Sequence, residues 1–365
     1  MHDFILKEIF DTNIDKQLQN IGFDRTYTDV ASKKFCYKNI KIFDLTVAQA
    51  NILKQTALSV GADCATHRDT ITAQIEKTDC ILGGSVAQLE VIAHKLTKQP
   101  FGLKNLGEML KEFIDKKEVN QTKIVGILNL TKDSFSDGGE FWEVDNAIKH
   151  FDEMINAGAD VIELGAESTR PNFEDVDCDK QLEKLLPILN YYNDKTVEIS
   201  IDTRSSKVAR ECLKLGANII NDVSGLKHDD KMAQTVAEFD AKIVIQDFEN
   251  GEIDDIYMNL RNQALYAISQ GIKSENIIID PGIGFGKTRE QNFEIIKNIG
   301  EFKSLGYPVM LGISRKSLLD MSDKDNLTKD IFTVALNTLA VNKNVDYIRV
   351  HNVDLHKSML KLFSI

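Results

Sequence analysis

From Lys123 to the C-terminus the chain repeats one unit: a short apolar run, then a segment with apolar residues at three- and four-residue spacing. The runs are KIVGILNL, DVIELG, VEISID, NIIND, KIVIQ, NIIID, PVMLGI and YIRVH. Continuous apolar runs predict strands buried on both faces, and their alternation with helices predicts a parallel sheet that those helices cover. In the first intervening segment Val144, Ala147, Ile148, Phe151, Met154 and Ile155 fall on one helical face. Gly158, Gly216, Gly271 and Gly306 stand just before the following strands, where a left-handed C-cap is expected. Eight such units fit a closed (β/α)8 barrel of the TIM type, an α/β fold. A doubly wound open sheet is the alternative, although it does not usually need eight such regular units.

The chain has 365 residues, long for one domain and comfortable for two. Residues 1–121 lack the regular alternation. Segment 37–45, YKNIKIFDL, alternates well enough for a strand, and TVAQANILKQTALSVG follows with helical spacing. A strand pair around 63–84, the helix AQLEVIAHKLTKQ and the charged helix LGEMLKEFIDKKEVN complete a small α+β domain of unknown role. The expected division is therefore 1–121 and 122–365. A net charge of -12 argues against nucleic-acid binding by a general basic surface, while leaving room for a local anion pocket. Five cysteines, far apart and without a CxxC pair, suggest neither a zinc site nor a disulfide framework. Charged residues interrupt the only apolar patch at the N-terminus, and no run approaches the ~18 apolar residues of a membrane helix. A soluble, cytoplasmic protein is expected.

In a barrel of this type the chemistry lies at the C-terminal ends of the strands. Those positions hold Asn129, Glu167, Asp202, Asn221, Asp247, Asp280, Lys316, and Arg349 with His351. Any one Asn or Asp there is as readily a turn former or helix N-cap; the whole set on otherwise apolar strands points to a ligand. The first loop, NLTKDSFSDGGEF, is long enough to act as a lid, and the second, GAESTRPNF, offers hydroxyls and a guanidinium to an anion. IIIDPGIGFGKT fails both nucleotide patterns, since Pro281 stands where the Walker loop needs Gly and Lys287 where GxGxxG needs Gly. Its glycines suit close passage of backbone past a flat ligand, with Phe285 supplying an aromatic edge. GISRKS brings two cations and two hydroxyls together, while Arg349 and His351 alternate with Val350 and so project to one side. The mouth divides into a carboxylate–amide half and a cationic half, suiting a ligand with a hydrogen-bonding ring at one end and a phosphate at the other.

The ordered set ILNLTKDSFSDGG, GAESTRP, SIDT, NDVSG, DPGIGFGKT, GISRKS and IRVHNV closely resembles dihydropteroate synthase over about residues 123–357. That resemblance implies condensation of 6-hydroxymethyl-7,8-dihydropterin pyrophosphate with p-aminobenzoate in folate biosynthesis, with Mg²⁺ assistance. It implies that Asp202, Asn221, Asp280 and Lys316 grip the pterin beside Phe285, and that Asn129, Arg349 and His351 hold the diphosphate, with Asn129 near the Mg²⁺. Asp133, Phe135, Thr169, Arg170, Pro171 and Ser317 are expected to shape the p-aminobenzoate site. The implied mechanism is SN1-like: the C–O bond breaks first, Asp202 stabilises a pterin cation, and Arg349 and His351 neutralise the leaving pyrophosphate. Asp202, Lys316, Arg349 and His351 are thus the expected catalytic set. A homodimer and sensitivity to sulfonamides are further expectations.

This chain departs from the family pattern in places. Gln246 and Asp247 replace the Met and His of the usual MHM-type segment and are not carried over as site residues. IELGAESTRPN stands for IDVGGESTRPG, with Ala166 and Asn172 replacing glycines, and Lys132 occupies a usual Pro position. Three rivals stay open: the pterin-binding barrel of a corrinoid-dependent methyltransferase, a non-catalytic pterin-binding relative, and a bifunctional enzyme with a second activity in residues 1–121. In that front part only His67 and Arg68 form a suggestive polar cluster, more readily a surface than a site.

Overall fold

The structure is a computed structural model, and it describes residues 6–7, 9, 14–115, 121–130, 140–167, 176–192, 196–316 and 324–364. The chain divides into two compact units, 1–118 and 119–365.

The front unit comprises α1 (Ile14–Asn20), α2 (Thr28–Ser32), β1 (Tyr37–Thr46), α3 (Val47–Leu58), β2 (Asp63–Thr66), β3 (Lys77–Ser85), α4 (Val86–Leu96) and α5 (Leu103–Asp115). Its three strands form an antiparallel sheet in the order β1-β3-β2, with Ile42 opposite Cys80 and Cys64 opposite Leu82. Both α3 and α4 begin with a reciprocal capping box, Thr46 with Gln49 and Ser85 with Gln88, so two orphan N–H groups of each helix start are satisfied. Leu53, Leu82, Leu89, Ile92, Leu96 and Leu103 form its own buried core. The expected strands and helices of this part are present; α1 and α2, which carry little apolar periodicity, are additions to that reading.

The second unit runs β4 (Lys123–Asn129), α6 (Glu140–Asn156), β5 (Val161–Gly165), α7 (Cys178–Tyr191), β6 (Glu198–Asp202), α8 (Ser206–Lys214), β7 (Ile219–Asp222), α9 (Met232–Glu238), β8 (Lys242–Gln246), α10 (Ile253–Ser269), β9 (Ile277–Asp280), α11 (Arg289–Lys297), β10 (Met310–Leu311), α12 (Asn326–Val341), β11 (Tyr347–Val350) and α13 (Val353–Lys361). Eight parallel strands form one sheet in the order β10-β11-β4-β5-β6-β7-β8-β9, and a parallel bridge from Ile279 to Val309 joins its two ends. This is the (β/α)8 TIM barrel that the alternation predicts, and the open sheet is excluded. Ala147, Phe151 and Met154 are buried along α6, as their spacing requires. Gly158, Gly216, Gly271 and Gly306 all have positive φ, between 90° and 100°, at the ends of their helices.

Strand parity decides what faces the barrel interior. Val125, Val161, Ile219, Val244, Ile278, Met310 and Tyr347 pack together as an apolar floor. Two residues further along each strand, on the same side, stand Ile127, Glu163, Asn221, Gln246, Asp280 and Arg349. The interior thus changes from apolar to polar within one layer. The alternate residues, such as Ile124, Ile162, Ile220, Ile243, Ile245 and Ile348, face outward into the helix-covered core.

Candidate active site

The polar layer and the strand ends above it converge on one cluster. Glu163, buried in the middle of β5, accepts from Asn221 Nδ2 at 2.9 Å and from Ser200 Oγ at 3.3 Å. Arg349 donates to the same carboxylate through Nε and to Asp202 Oδ2 through Nη2 at 3.1 Å. Asp202 Oδ1 and Asn221 Oδ1 are buried without a partner, and so is Gln246 Nε2 in the adjoining strand. Leaving buried polar atoms unpaired costs about 1–3 kcal/mol each, so two acceptors and a donor at the ends of three neighbouring strands mark a place for a ligand that pairs with them.

The second part of the mouth is built from the loops after β9 and β10. Asp280 Oδ1 accepts from the backbone N–H of Gly282 at 2.7 Å, which aims the carboxylate across the barrel. Gly282 has φ +71°, and a Cβ there would stand 1.6 Å from the Asp247 carbonyl oxygen, so the turn admits no side chain. Lys316 donates to the carbonyl of Ile283, and its ammonium lies 4.5 Å from the centre of the Phe285 ring. Phe285 and Lys316 therefore form one face of the mouth, with Asp280 below. Among the described residues His351 makes no ion pair: its Nδ1 lies 2.9 Å from Ser314 Oγ, which also accepts the His351 backbone N–H at 3.2 Å.

Burial dominates the electrostatics. Asp202 is pushed up to about 7, first by burial and then by the neighbouring Glu163 charge, against the pull of Arg349. Asp280 is raised by burial, which outweighs the attraction of Lys316. Lys316 is lowered to about 8 by burial, with Asp280 opposing. His351 is lowered to about 3 by burial, with Arg315 and Arg349 adding to it. The imidazole is thus neutral at physiological pH, and the cationic half of the mouth is narrower than the sequence suggests.

A family model described as "Pterin binding enzyme" matches residues 125–351. The dihydropteroate synthase of Clostridium beijerinckii is 43% identical over 251 residues, covering 66% of this chain and 93% of that protein. The chain belongs to the dihydropteroate synthase family. A crystal structure of the dihydropteroate synthase from Anaplasma phagocytophilum with bound 6-hydroxymethylpterin-monophosphate matches with a TM-score of 0.62 and 39% identity, over 67% of this chain and 98% of that one. A probable bifunctional folylpolyglutamate synthase/dihydropteroate synthase of Halobacterium salinarum is 36% identical over 328 residues, or 84% of this chain. The chain spans only 40% of the length of that halobacterial relative.

Within this dihydropteroate synthase fold, Asp202, Asn221, Asp280, Lys316, Phe285 and Arg349 surround one mouth, and His351 stands at its rim. Asn129 ends β4 opposite Gly165. A Cβ at Gly165 would stand 3.2 Å from Asn129 Oδ1 and 3.7 Å from Asp202 Cβ, so the glycine keeps a cradle open between the amide and the carboxylate. Among the described residues no group of three or more His, Cys, Asp or Glu is placed to hold a metal ion. The Asn129 amide oxygen beside this cradle, with the Asp202 carboxylate across it, has room for a hydrated divalent cation. Asp133, Phe135, Thr169, Arg170, Pro171 and Ser317 lie outside the described residues.

Three strand-end residues turn away from the cluster. Glu167 is held by Arg204 at 2.9 Å and accepts from the Val176 N–H. Asp247 is buried against Lys287, whose Nζ reaches both its carbonyl and its carboxylate. The two cations of GISRKS also separate: Arg315 makes two 2.8 Å bonds to Asp330 of α12, leaving only Lys316 to the mouth. Glu163 and Gln246 are the additions that strand-end reading misses, while Ser314 is one of the two GISRKS hydroxyls. A visible signal existed for Glu163, a lone acid inside the apolar run VIELG. None marks Gln246 as different from any strand-terminal amide.

Proposed function

We propose that the barrel joins 6-hydroxymethyl-7,8-dihydropterin pyrophosphate to p-aminobenzoate, giving 7,8-dihydropteroate and pyrophosphate. The observation that carries this reading is the pair of unpartnered, buried acceptors Asp202 Oδ1 and Asn221 Oδ1 in one mouth. A pterin edge presents an amino group and ring N–H, the donors those oxygens lack. Asp280 supplies a further acceptor. Lys316 donates to the ring carbonyl and nitrogen, and Phe285 packs at the ring's edge. Asn129, Arg349 and His351 hold the diphosphate, Arg349 by charge and His351 as a neutral imidazole.

In the reaction the bond between the pterin methylene and the diphosphate oxygen breaks, and the leaving group takes the electron pair. Asp202 faces the cation that forms. The Asp202 carboxylate stabilises that cation by charge, and the cation in turn favours the ionised carboxylate. The p-aminobenzoate nitrogen then attacks the methylene with its lone pair, and its proton passes to solvent; no protein nucleophile is needed. When bound at Asn129, Mg²⁺ supplies charge neutralisation for the diphosphate. Asp133, Phe135, Thr169, Arg170, Pro171 and Ser317 are proposed to hold p-aminobenzoate, and sulfonamides to compete with it.

The protein is proposed to act as a cytoplasmic homodimer. Its five cysteines are all free thiols, in keeping with a reducing compartment. Among the described residues no helix is long and apolar enough to cross a membrane. Leu327, Ile331, Phe332 and Leu339 leave an exposed apolar stripe on α12, the kind of face a second copy covers. Purified protein incubated with both substrates and Mg²⁺ tests the activity directly. Chromatography should detect 7,8-dihydropteroate, and its absence overturns the synthase reading.

A further inference from the structure

We infer that Glu163 is a positioning residue for the pterin site, fixing the Asn221 amide with its oxygen toward the mouth and clamping Arg349 beside Asp202. The inference rests on the pterin-synthase reading and adds to it a residue one layer beneath those that face the ligand. In the β5–β6 register Glu163 lies opposite Ser200, whereas Gly165 lies opposite Asp202, one inward-facing step nearer the mouth. Glu163 is 1% exposed. Its carboxylate collects donors from three other strands: Ser200 of β6, Asn221 of β7 and Arg349 of β11.

The chemistry of the acceptor is what matters. An ionised carboxylate only accepts, so a neighbouring carboxamide must present its NH₂ group to it. Asn221 does so at 2.9 Å, and its oxygen is thereby turned away from Glu163, buried and unpaired. An amide at position 163 would accept or donate equally well, and Asn221 would lose its reason to expose oxygen rather than nitrogen. The ring recognised by Asn221 has N–H donors at that place, so the wrong amide orientation sets donor against donor. The same carboxylate supplies the counter-charge that lets the Arg349 guanidinium reach Asp202. Glu163 therefore sets one ligand-facing acceptor and one ligand-facing cation together.

The test uses full-length protein carrying Glu163→Gln, which keeps size and shape, with Glu163→Asp as the variant that keeps charge at shorter reach. Calorimetric titration with 6-hydroxymethylpterin reads the ring site without turnover. Glu163→Gln should weaken that binding about 10- to 100-fold, as expected for loss of hydrogen bonds to a charged group. Glu163→Asp should restore part of the affinity. The KM for p-aminobenzoate at saturating pterin pyrophosphate should stay within about twofold of wild type. In an Asn221→Ala background the same Glu163→Gln change should cost the titration at most about threefold, because the amide it orients is gone. Equal losses in both backgrounds, or undiminished 6-hydroxymethylpterin binding in Glu163→Gln, overturn the inference. Should Glu163→Gln not fold, Glu163→Asp is read in the same two backgrounds by the same criterion. Failure of the synthase reading is distinct, since wild-type protein would then make no dihydropteroate.

Discussion

Lys316 carries a charge that its surroundings weaken. Burial lowers its ammonium to about 8, so the protonated form that donates to the ligand is complete below that pH and lost above it. For the free enzyme, kcat/KM for the pterin substrate should fall as pH rises through about 8, and Lys316→Arg should move that limb beyond the measurable range. His351 gives no limb near neutrality, because it is already neutral down to about 3. Asp202 accepts from the intact ring through an oxygen that an amide would also supply, and its charge counts most when the cation develops beside it. Asp202→Asn should therefore lower kcat by about 100-fold or more while changing pterin-substrate affinity by less than about tenfold. Parallel losses in single-turnover rate and affinity would remove the cation-stabilising role. At this scale the sequence shows which residue types gather at the strand ends. It does not show their directions: Glu167, Asp247 and Arg315 are equal in type to their neighbours, and only their partners Arg204, Lys287 and Asp330 draw them aside.

The strands and loops explain how a departure from the family pattern is accommodated. Asp247 opens the chain's unusual segment after β8, its side chain fully buried with that of Lys287 from the β9 loop. Burial pushes the aspartate up and the lysine down, and each opposes the shift of the other. The pair ties the β8 loop to the turn that carries Gly282 and Phe285. Lys287→Met leaves the Asp247 carboxylate unpaired and should cost about 3–5 kcal/mol in chemical denaturation, whereas Lys287→Met with Asp247→Leu should recover most of it. Neither residue was legible as a pair, since Lys287 reads in sequence only as the residue that spoils a nucleotide motif. The barrel strands, by contrast, were legible because each is a mainly apolar run that recurs in regular alternation with helical spacing. The front unit was legible in β1, β2, β3, α3, α4 and α5, where alternation or three-to-four spacing is present, and not in the short polar helices α1 and α2.

Across the molecule, each unit encloses its own core. All the described residues of the proposed active site belong to the second unit. A protein comprising residues 122–365 should thus keep pterin binding and synthase activity within about threefold of the full chain, measured as kcat/KM for both substrates. A loss beyond about tenfold with the barrel still folded would assign the front unit a part in catalysis. The apolar stripe of α12 belongs to this scale too. Leu327→Glu with Ile331→Glu should shift the mass in sedimentation toward that of one chain if the stripe seals a dimer. The apolar floor of Val125, Val161, Ile219, Val244, Ile278, Met310 and Tyr347 has a kinetic meaning. It closes one end of the barrel, so the chamber has a single doorway. A ligand that rests on Asp202 and Asn221 therefore enters and leaves by the strand ends alone.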